Sequence, residues 1–424
     1  MELVSVAIIT SGLLLFSLVS GKLQGTIITA PLVFIIFGFL VGDGGLAIAS
    51  IDPGHSIIHT IAEFTLIVVL FTDAARLDLK RLWQDHNLPT RMLILGLPLI
   101  VVSGAIIAMW IFPALTFWEA ALLAALLAPT DAALGQSVVS ATIVPVRIRQ
   151  AINVESGLND GIILPAVLLL AVLAESQSEI SEVSTWIHFG LLQITLGPLV
   201  GMLTGYIGAR MIDAMAERRW MNTSAQGIGI LSLAMLTYAL AELVGGNGFI
   251  ATFVAGMMFG NTIRNTCSFL FEFMETEGQL LMLITFLIFG AAMLPEGLHH
   301  MTPSIFLYAV LSLTVIRIIP ITISLIGTGL RLPTIAFLGW FGPRGLASIL
   351  FVLLILEESK IVHHDELYSI TIVTVALSAL LHGITAAPFA NWYGQLAGRM
   401  GECEENQTVS ELSLRERPAN TKIN

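Results

Sequence analysis

Charge is what this 424-residue chain has least of: 12% of its residues are Asp, Glu, Lys or Arg, about half the share of an ordinary soluble domain, while 56% are hydrophobic. That balance excludes a soluble globular domain and leaves a lipid-embedded chain. Cysteine is scarcer still. Cys267 and Cys403 lie far apart and show no metal-ligand spacing, which excludes a disulfide framework and a thiolate metal site. HExxH and GxSxG are both absent, so an intramembrane metalloprotease or serine hydrolase has no anchor here and no enzyme is expected. No loop reads as a carbonyl-lined selectivity filter, which argues against a channel. Nothing points to a bound cofactor or a nucleic-acid partner.

What the chain does have is apolar length. Runs near the roughly 20 residues that a 30 Å hydrocarbon core requires recur from the first residues to about position 392. The first, from about Val4 to Val19, lacks a basic n-region and a small-residue cleavage site, and reads as a retained helix rather than a signal peptide. Breaks at charged or Gly/Pro-rich stretches give about thirteen spans. They cover 3–20, 25–42, 56–72, 91–112, 118–140, 148–174, 187–211, 224–244, 248–263, 279–295, 304–327, 334–356 and 368–392. Residues 393–424 form a short polar tail, too small for a nucleotide-binding domain and expected to be largely disordered.

With the N-terminus outside, nearly all of the 19 Lys and Arg residues fall on the inner side; Lys360 alone falls outside, and Arg317 and Arg344 lie within spans. The positive-inside rule therefore gives an odd number of spans, N-terminus out and C-terminus cytoplasmic. The outer loops collect Glu175, Glu179, Glu182, Glu296, Glu357, Glu358, Asp365 and Glu366, beside His363 and His364 in a loop read as solvated.

Two spans are interrupted. Pro129, Thr130 and Asp131 cut the Ala/Leu helix of span five, because proline removes a backbone donor and crowds the preceding turn. Gly339, Gly342, Pro343 and Gly345 surround Arg344 in span twelve. Unwound backbone cannot face lipid, so both breaks must line a cavity or pack on protein. Corresponding breaks seven spans apart suggest two inverted repeats with a binding site where the broken helices meet.

Span six carries NVESGLNDG, which stacks Glu155 over Asn159 and Ser156 over Asp160 on adjacent stripes of one helix. With Asp131 this makes three acids at depth, against only Arg344 and Arg317. Buried charges usually pair or mark an ion path. One acid is left over, which suits a site whose partner is a transported ion or a proton. Oxygens from Thr130, Ser156 and the unwound backbone supply hard ligands, and no histidine or cysteine stands beside them to favour a transition metal. A cation and a proton competing for Asp160 would couple two fluxes. Arg317 is read as neutralising an acid or bracing the core, and His382 as a hydrogen-bonded packing residue. Asp73 is read as an interfacial partner of Arg76, and Glu242 as reaching headgroup water; Glu63 is a weaker candidate.

The residues APTDAALG, ESGLNDG, GFIATFVAGMMFG, SLTVIRIIP, GWFGPRGLASI and SALLHGITAAP together resemble the monovalent cation/proton antiporters of the NhaP and NHE type, across nearly the whole membrane region. The resemblance implies an all-α fold of thirteen transmembrane helices, with discontinuous helices crossing at mid-membrane. It implies a homodimer, each protomer having a moving six-helix core (spans four to six and eleven to thirteen) and a dimerisation part from the remaining spans. It implies exchange of Na+ or Li+ for H+ by alternating access across a cell (inner) membrane, serving pH homeostasis, with K+/H+ exchange as the alternative and a cation channel further behind. By motif, Asp160 resembles the ion and proton carrier, and Asp131, Thr130 and Ser156 its co-ligands. Asn159 resembles the residue that accompanies electroneutral exchange, and Glu155 and Arg344 the structural ion pair. Asp73 does not align securely with the auxiliary acid of some relatives.

Overall fold

The structure, a computed structural model, describes residues 3–23, 26, 29–48, 56–76, 87–131, 133–176, 183–264, 278–356, 359–401 and 403–406. Cys267, Glu179, Glu182, Glu357, Glu358 and the tail beyond 406 lie outside these residues. Every regular element among them is helical. In chain order they are α1 (Leu3–Leu23), α2 (Ala30–Val41), α3 (Ser56–Ala75), α4 (Asn87–Arg91), α5 (Leu97–Ile111), α6 (Phe117–Leu126), α7 (Gln136–Val139), α8 (Val146–Ser176), α9 (Val183–Glu217), α10 (Thr223–Leu243), α11 (Gly248–Thr262), α12 (Gln279–Ile288), α13 (Leu294–His299), α14 (Pro303–Leu313), α15 (Val315–Ser324), α16 (Leu332–Trp340), α17 (Leu346–Phe351) and α18 (His364–Gly398). Wide π-turns at Met92–Gly96, Phe289–Met293 and Val352–Leu356 adjoin α4 and α5, α12 and α13, and α17.

Local chemistry sets the helix starts. Thr116 and Glu119 form a reciprocal capping box on α6, while Asn222, Asn247 and Thr302 accept from the third amide of α10, α11 and α14. Glu242 adds a bond from the Gly248 amide at 2.8 Å, so its carboxylate caps α11.

Helices overlap each of the expected spans. Among the described residues seven are long and apolar enough to cross a membrane, by length and composition. The broken spans escape that criterion because each is split: α6 ends at Leu126, the backbone is irregular to Gly135, and α7 adds one turn. Span eleven carries a break the sequence did not signal, at Thr314, whose φ of −116° and ψ of −90° separate α14 from α15. Helix α18 runs six residues beyond the expected start of the tail, and a 3-10 turn at Glu404–Asn406 follows it.

The chain divides into two compact units. One comprises Met1–Leu66, Asn87–Gly190 and Leu280–Gln407, and so holds spans one, two and ten and most of span three together with four to six and eleven to thirteen; the other comprises Ile67–His86, Leu191–Gln279 and Thr408–Asn424. In the second unit, Gly197, Gly201 and Gly205 let α9 touch the α11 backbone at Asn247, Ala251 and Ala255, and Gly256 and Gly260 admit the carbonyls of Phe71 and Ala75. Small residues at four-residue spacing give this contact in lipid, where apolar surface alone supplies no drive. Ile67, Phe71, Ile230 and Phe259 fill the space beside it. Asp73 belongs to this unit, partly buried on α3. In the first unit, Gly38 and Gly42 bring α2 onto the backbone of Leu287 and Ala291.

Candidate functional site

The two interrupted spans meet at their breaks and satisfy one another. The Asp131 amide donates to the Pro343 carbonyl at 2.7 Å. In return, the Leu346 amide at the start of α17 donates to Asp131 Oδ2 at 2.9 Å, and the Ala133 amide donates to Oδ1 at 2.8 Å. Ser348 Oγ donates to Leu126 O at 2.7 Å, and Arg344 Nη1 to Ala128 O at 3.1 Å, both at the carbonyl end of α6. A carboxylate thus faces the amide end of one half-helix and a guanidinium the carbonyl end of another, each opposite the partial charge it complements. A Cβ on Gly345 would run into the Asp131 carboxylate and one on Gly342 into the Arg317 guanidinium, so both glycines are required by close approach.

Helix α8 supplies the other wall. Thr130 Oγ1 lies 3.0 Å from Ser156 Oγ and accepts from Asn159 Nδ2 at 2.6 Å. Thr130, Ser156 and Asn159 are buried, and the Asn159 Oδ1 acceptor has no hydrogen-bond partner among the described residues. Asp160, one helical turn beyond Ser156, is only partly buried.

The ion pair differs from expectation. Glu155 does not pair with Arg344; it receives two hydrogen bonds from Arg317, Nη1 to Oε1 at 2.5 Å and Nη2 to Oε2 at 2.7 Å. The break at Thr314 is the local reason this guanidinium is available, since it starts α15 afresh two residues before Arg317. Arg344, wholly buried, is held by carbonyls instead, and its Nε and Nη2 have no hydrogen-bond partner among the described residues. His382 is buried and hydrogen-bonded through both ring nitrogens, to Ser378 and to Trp340 O.

Sequence reasoning missed Glu119 and Glu405. Buried Glu119, beyond its capping role, lies 3.0 Å from His363 Nδ1 and accepts the His363 amide at 3.2 Å, so the expected solvated loop is pinned to α6. Glu405 accepts the Arg331 amide at 2.8 Å and the Thr334 hydroxyl at 3.0 Å, capping α16, while Glu404 pairs with Arg147 at 2.7 Å. Only proximity in the fold reveals the His363, Arg331 and Thr334 partners, although Thr116 and Glu119 at a spacing of three form a capping-box pattern visible in the sequence.

Two crossed, unwound half-helix pairs beside a helix bearing buried oxygens and a partly buried aspartate define a membrane transporter of the broken-helix class. The profile of the transmembrane sodium/hydrogen exchanger family matches residues 7–392, and the chain belongs to that family. It is 25% identical over 401 residues to the K(+)/H(+) antiporter NhaP of Alkalimonas amylolytica, across 92% of this chain and 67% of that protein. It is 28% identical over 256 residues to the Na(+)/H(+) antiporter 2 of Zygosaccharomyces rouxii, across 58% of this chain and 31% of that one. The chain spans about half to two thirds of the length of the NhaP and NhaP2 relatives it matches. Its fold is that of the sodium proton antiporter MjNhaP1 from Methanocaldococcus jannaschii, with a TM-score of 0.74 at 19% identity, covering 94% of this chain and 99% of that one. The protein is an integral membrane protein.

Proposed function

We propose that the protein is a secondary antiporter exchanging a monovalent cation for protons, with Asp160 as the carrier of both. One observation carries the reading: α8 presents Asp160, partly buried, immediately beyond the buried Thr130–Ser156–Asn159 cluster. Glu155 is neutralised by Arg317, and both Asp131 oxygens cap backbone amides. Asp160, Thr130 and Ser156 supply ligand oxygens, while Asp131 contributes fixed charge at the crossing. Hard oxygens suit Na+ or Li+. The K(+)/H(+) relatives favour potassium as a second reading. Asn159 in place of an acid keeps one proton-binding group at this point on the helix, which supports one-for-one electroneutral exchange. The protein acts as a homodimer in the cell membrane, N-terminus outside and C-terminus cytoplasmic, rather than as an enzyme.

The test is reconstitution in liposomes with a pH-sensitive dye and an imposed pH gradient. Sodium, lithium, potassium or choline is then added, with and without a potential clamp. Dissipation by sodium or lithium, insensitive to the clamp and absent in Asp160→Asn, is expected. A response to potassium alone moves the substrate to the second reading, and full activity in the variant removes Asp160 as carrier.

A further inference from the structure

The break in span twelve is also held from the side of α18. Ser378, His382 and Thr385 stand on α18 at spacings of four and three, which puts them on one helix face. That face grips both banks of the break. On the near bank, Trp340 ends α16. Its carbonyl accepts from His382 Nε2 at 2.9 Å, and its indole N–H donates to Thr385 Oγ1 at 3.1 Å. The indole also stacks on the His382 ring, with centroids 5.1 Å apart. A carbonyl can only accept, so the one ring hydrogen sits on Nε2, facing Trp340 O. Nδ1 is then an acceptor whose partner is the Ser378 hydroxyl, and its approach to Ser378 O is a contact without a shared hydrogen. Thr385 spends its own hydrogen on Leu381 O at 2.8 Å, which leaves its lone pairs for the indole. On the far bank, the Arg344 amide donates to Ser378 Oγ at 2.6 Å, and Ser378 in turn touches His382 Nδ1 through Oγ at 3.3 Å and through O at 2.9 Å.

These contacts have no helical substitute. Residues 341–345 are non-helical, so the Arg344 amide has no helical acceptor and the Trp340 carbonyl keeps only a tight-turn bond from the Gly342 amide at 2.8 Å. Ser378 and His382 are both fully buried, where an unsatisfied polar group is costly. The two groups they satisfy flank Pro343 and Arg344, the segment that meets Asp131 and the end of α6.

We propose that Ser378, His382 and Thr385 are positioning residues for ion exchange. They clasp the unwound segment of span twelve to span thirteen, so that the charged crossing is held in its binding-competent form and travels with α18. The inference rests on the antiporter reading, and it concerns affinity rather than ion chemistry. Without the clasp, the segment samples other conformations, and apparent affinity falls by the fraction of time it is out of place.

The experiment measures cation KM and Vmax in proteoliposomes, beside thermal unfolding in detergent, for His382→Ala, His382→Gln, Ser378→Ala and Thr385→Val. The expected result is that KM rises about tenfold in His382→Ala, on the scale of one buried hydrogen bond. Vmax should stay within about twofold, and His382→Gln, which retains a donor near Trp340 O, should recover much of the loss. Thr385→Val, which orphans no backbone group, should raise KM less with an unfolding temperature near wild type and carries the test if His382→Ala does not fold. Ser378→Ala, which orphans the buried Arg344 amide, should raise KM and lower the unfolding temperature. Unchanged KM in all foldable variants, or a Gln variant no better than Ala, would overturn the clasp. Loss of exchange in the wild-type protein itself would instead overturn the antiporter reading, so the two failures are distinguishable.

Discussion

A guanidinium buried at depth needs compensation, and the two in this core obtain it differently. Arg317 takes both oxygens of Glu155; Arg344 takes carbonyls at the end of α6 and the complementary end of that half-helix. Removing one partner of a buried pair leaves an uncompensated charge, so Glu155→Gln and Arg317→Ala should each destabilise the protein by about 3–5 kcal/mol. A double-mutant cycle, read by thermal unfolding in detergent, should give a coupling energy well above that for Glu155 with Arg344. Larger coupling to Arg344 would reverse the assignment. The sequence places Glu155, Arg317 and Arg344 together at depth, yet it cannot choose between the arginines. That choice depends on the Thr314 break and on where α15 points, and no residue pattern announces either. The acids and hydroxyls of span six were readable because their spacing of four is a local property of one helix.

At the scale of elements, the crossing of the two broken spans is the organising feature. Pro129 and the Gly-Pro-Arg-Gly segment announce the breaks in the sequence, since both remove or loosen helical hydrogen bonds. The atoms that replace those bonds come from residues more than two hundred positions away and are visible only in the fold. A methyl group at Gly345 meets the Asp131 carboxylate, so Gly345→Ala should cost about 1–3 kcal/mol through overpacking and depress exchange. Gly157→Ala, whose added atom meets nothing within 4 Å, should leave the unfolding temperature unchanged or raise it. Equal stability in the two variants would contradict the crossing geometry.

The N-terminal end of α16 adds a pH-dependent element. Burial pushes the Glu405 carboxyl up, but bonds from the Arg331 amide, the Cys403 thiol and Thr334 outweigh it and hold the group below the ordinary glutamate value. Its stabilising contribution is therefore complete above that ordinary value and lost as pH falls through the lower folded-state one. Glu405→Gln should lower the unfolding temperature at neutral pH, and the gap to wild type should close on acidification. A gap that widened in acid would show the sign to be wrong.

For the whole molecule, the low charge content and recurring apolar runs specified a helical membrane protein, and the motifs specified its family. The resemblance implies a two-part protomer, but the partition that sets spans one, two and ten beside four to six was not legible, because it follows from glycine contacts such as Gly38 on Leu287 and Gly201 on Ala251 that join different helices. Asn159→Asp adds a second carboxylate beside Asp160 and removes the amide that Thr130 accepts. Exchange by that variant should become sensitive to a potential clamp, while wild-type exchange stays insensitive; identical clamp responses would remove Asn159 from charge setting.

The central claim is that a cation and a proton compete for Asp160, and the direct measurement is proton release on cation binding by the purified protein in lightly buffered detergent. Competition at one carboxylate predicts release of up to one proton per cation bound, falling away as rising pH empties the site of protons, and no release from Asp160→Asn at any pH. Cation binding with no proton release across a broad pH range, or undiminished release from Asp160→Asn, would contradict it.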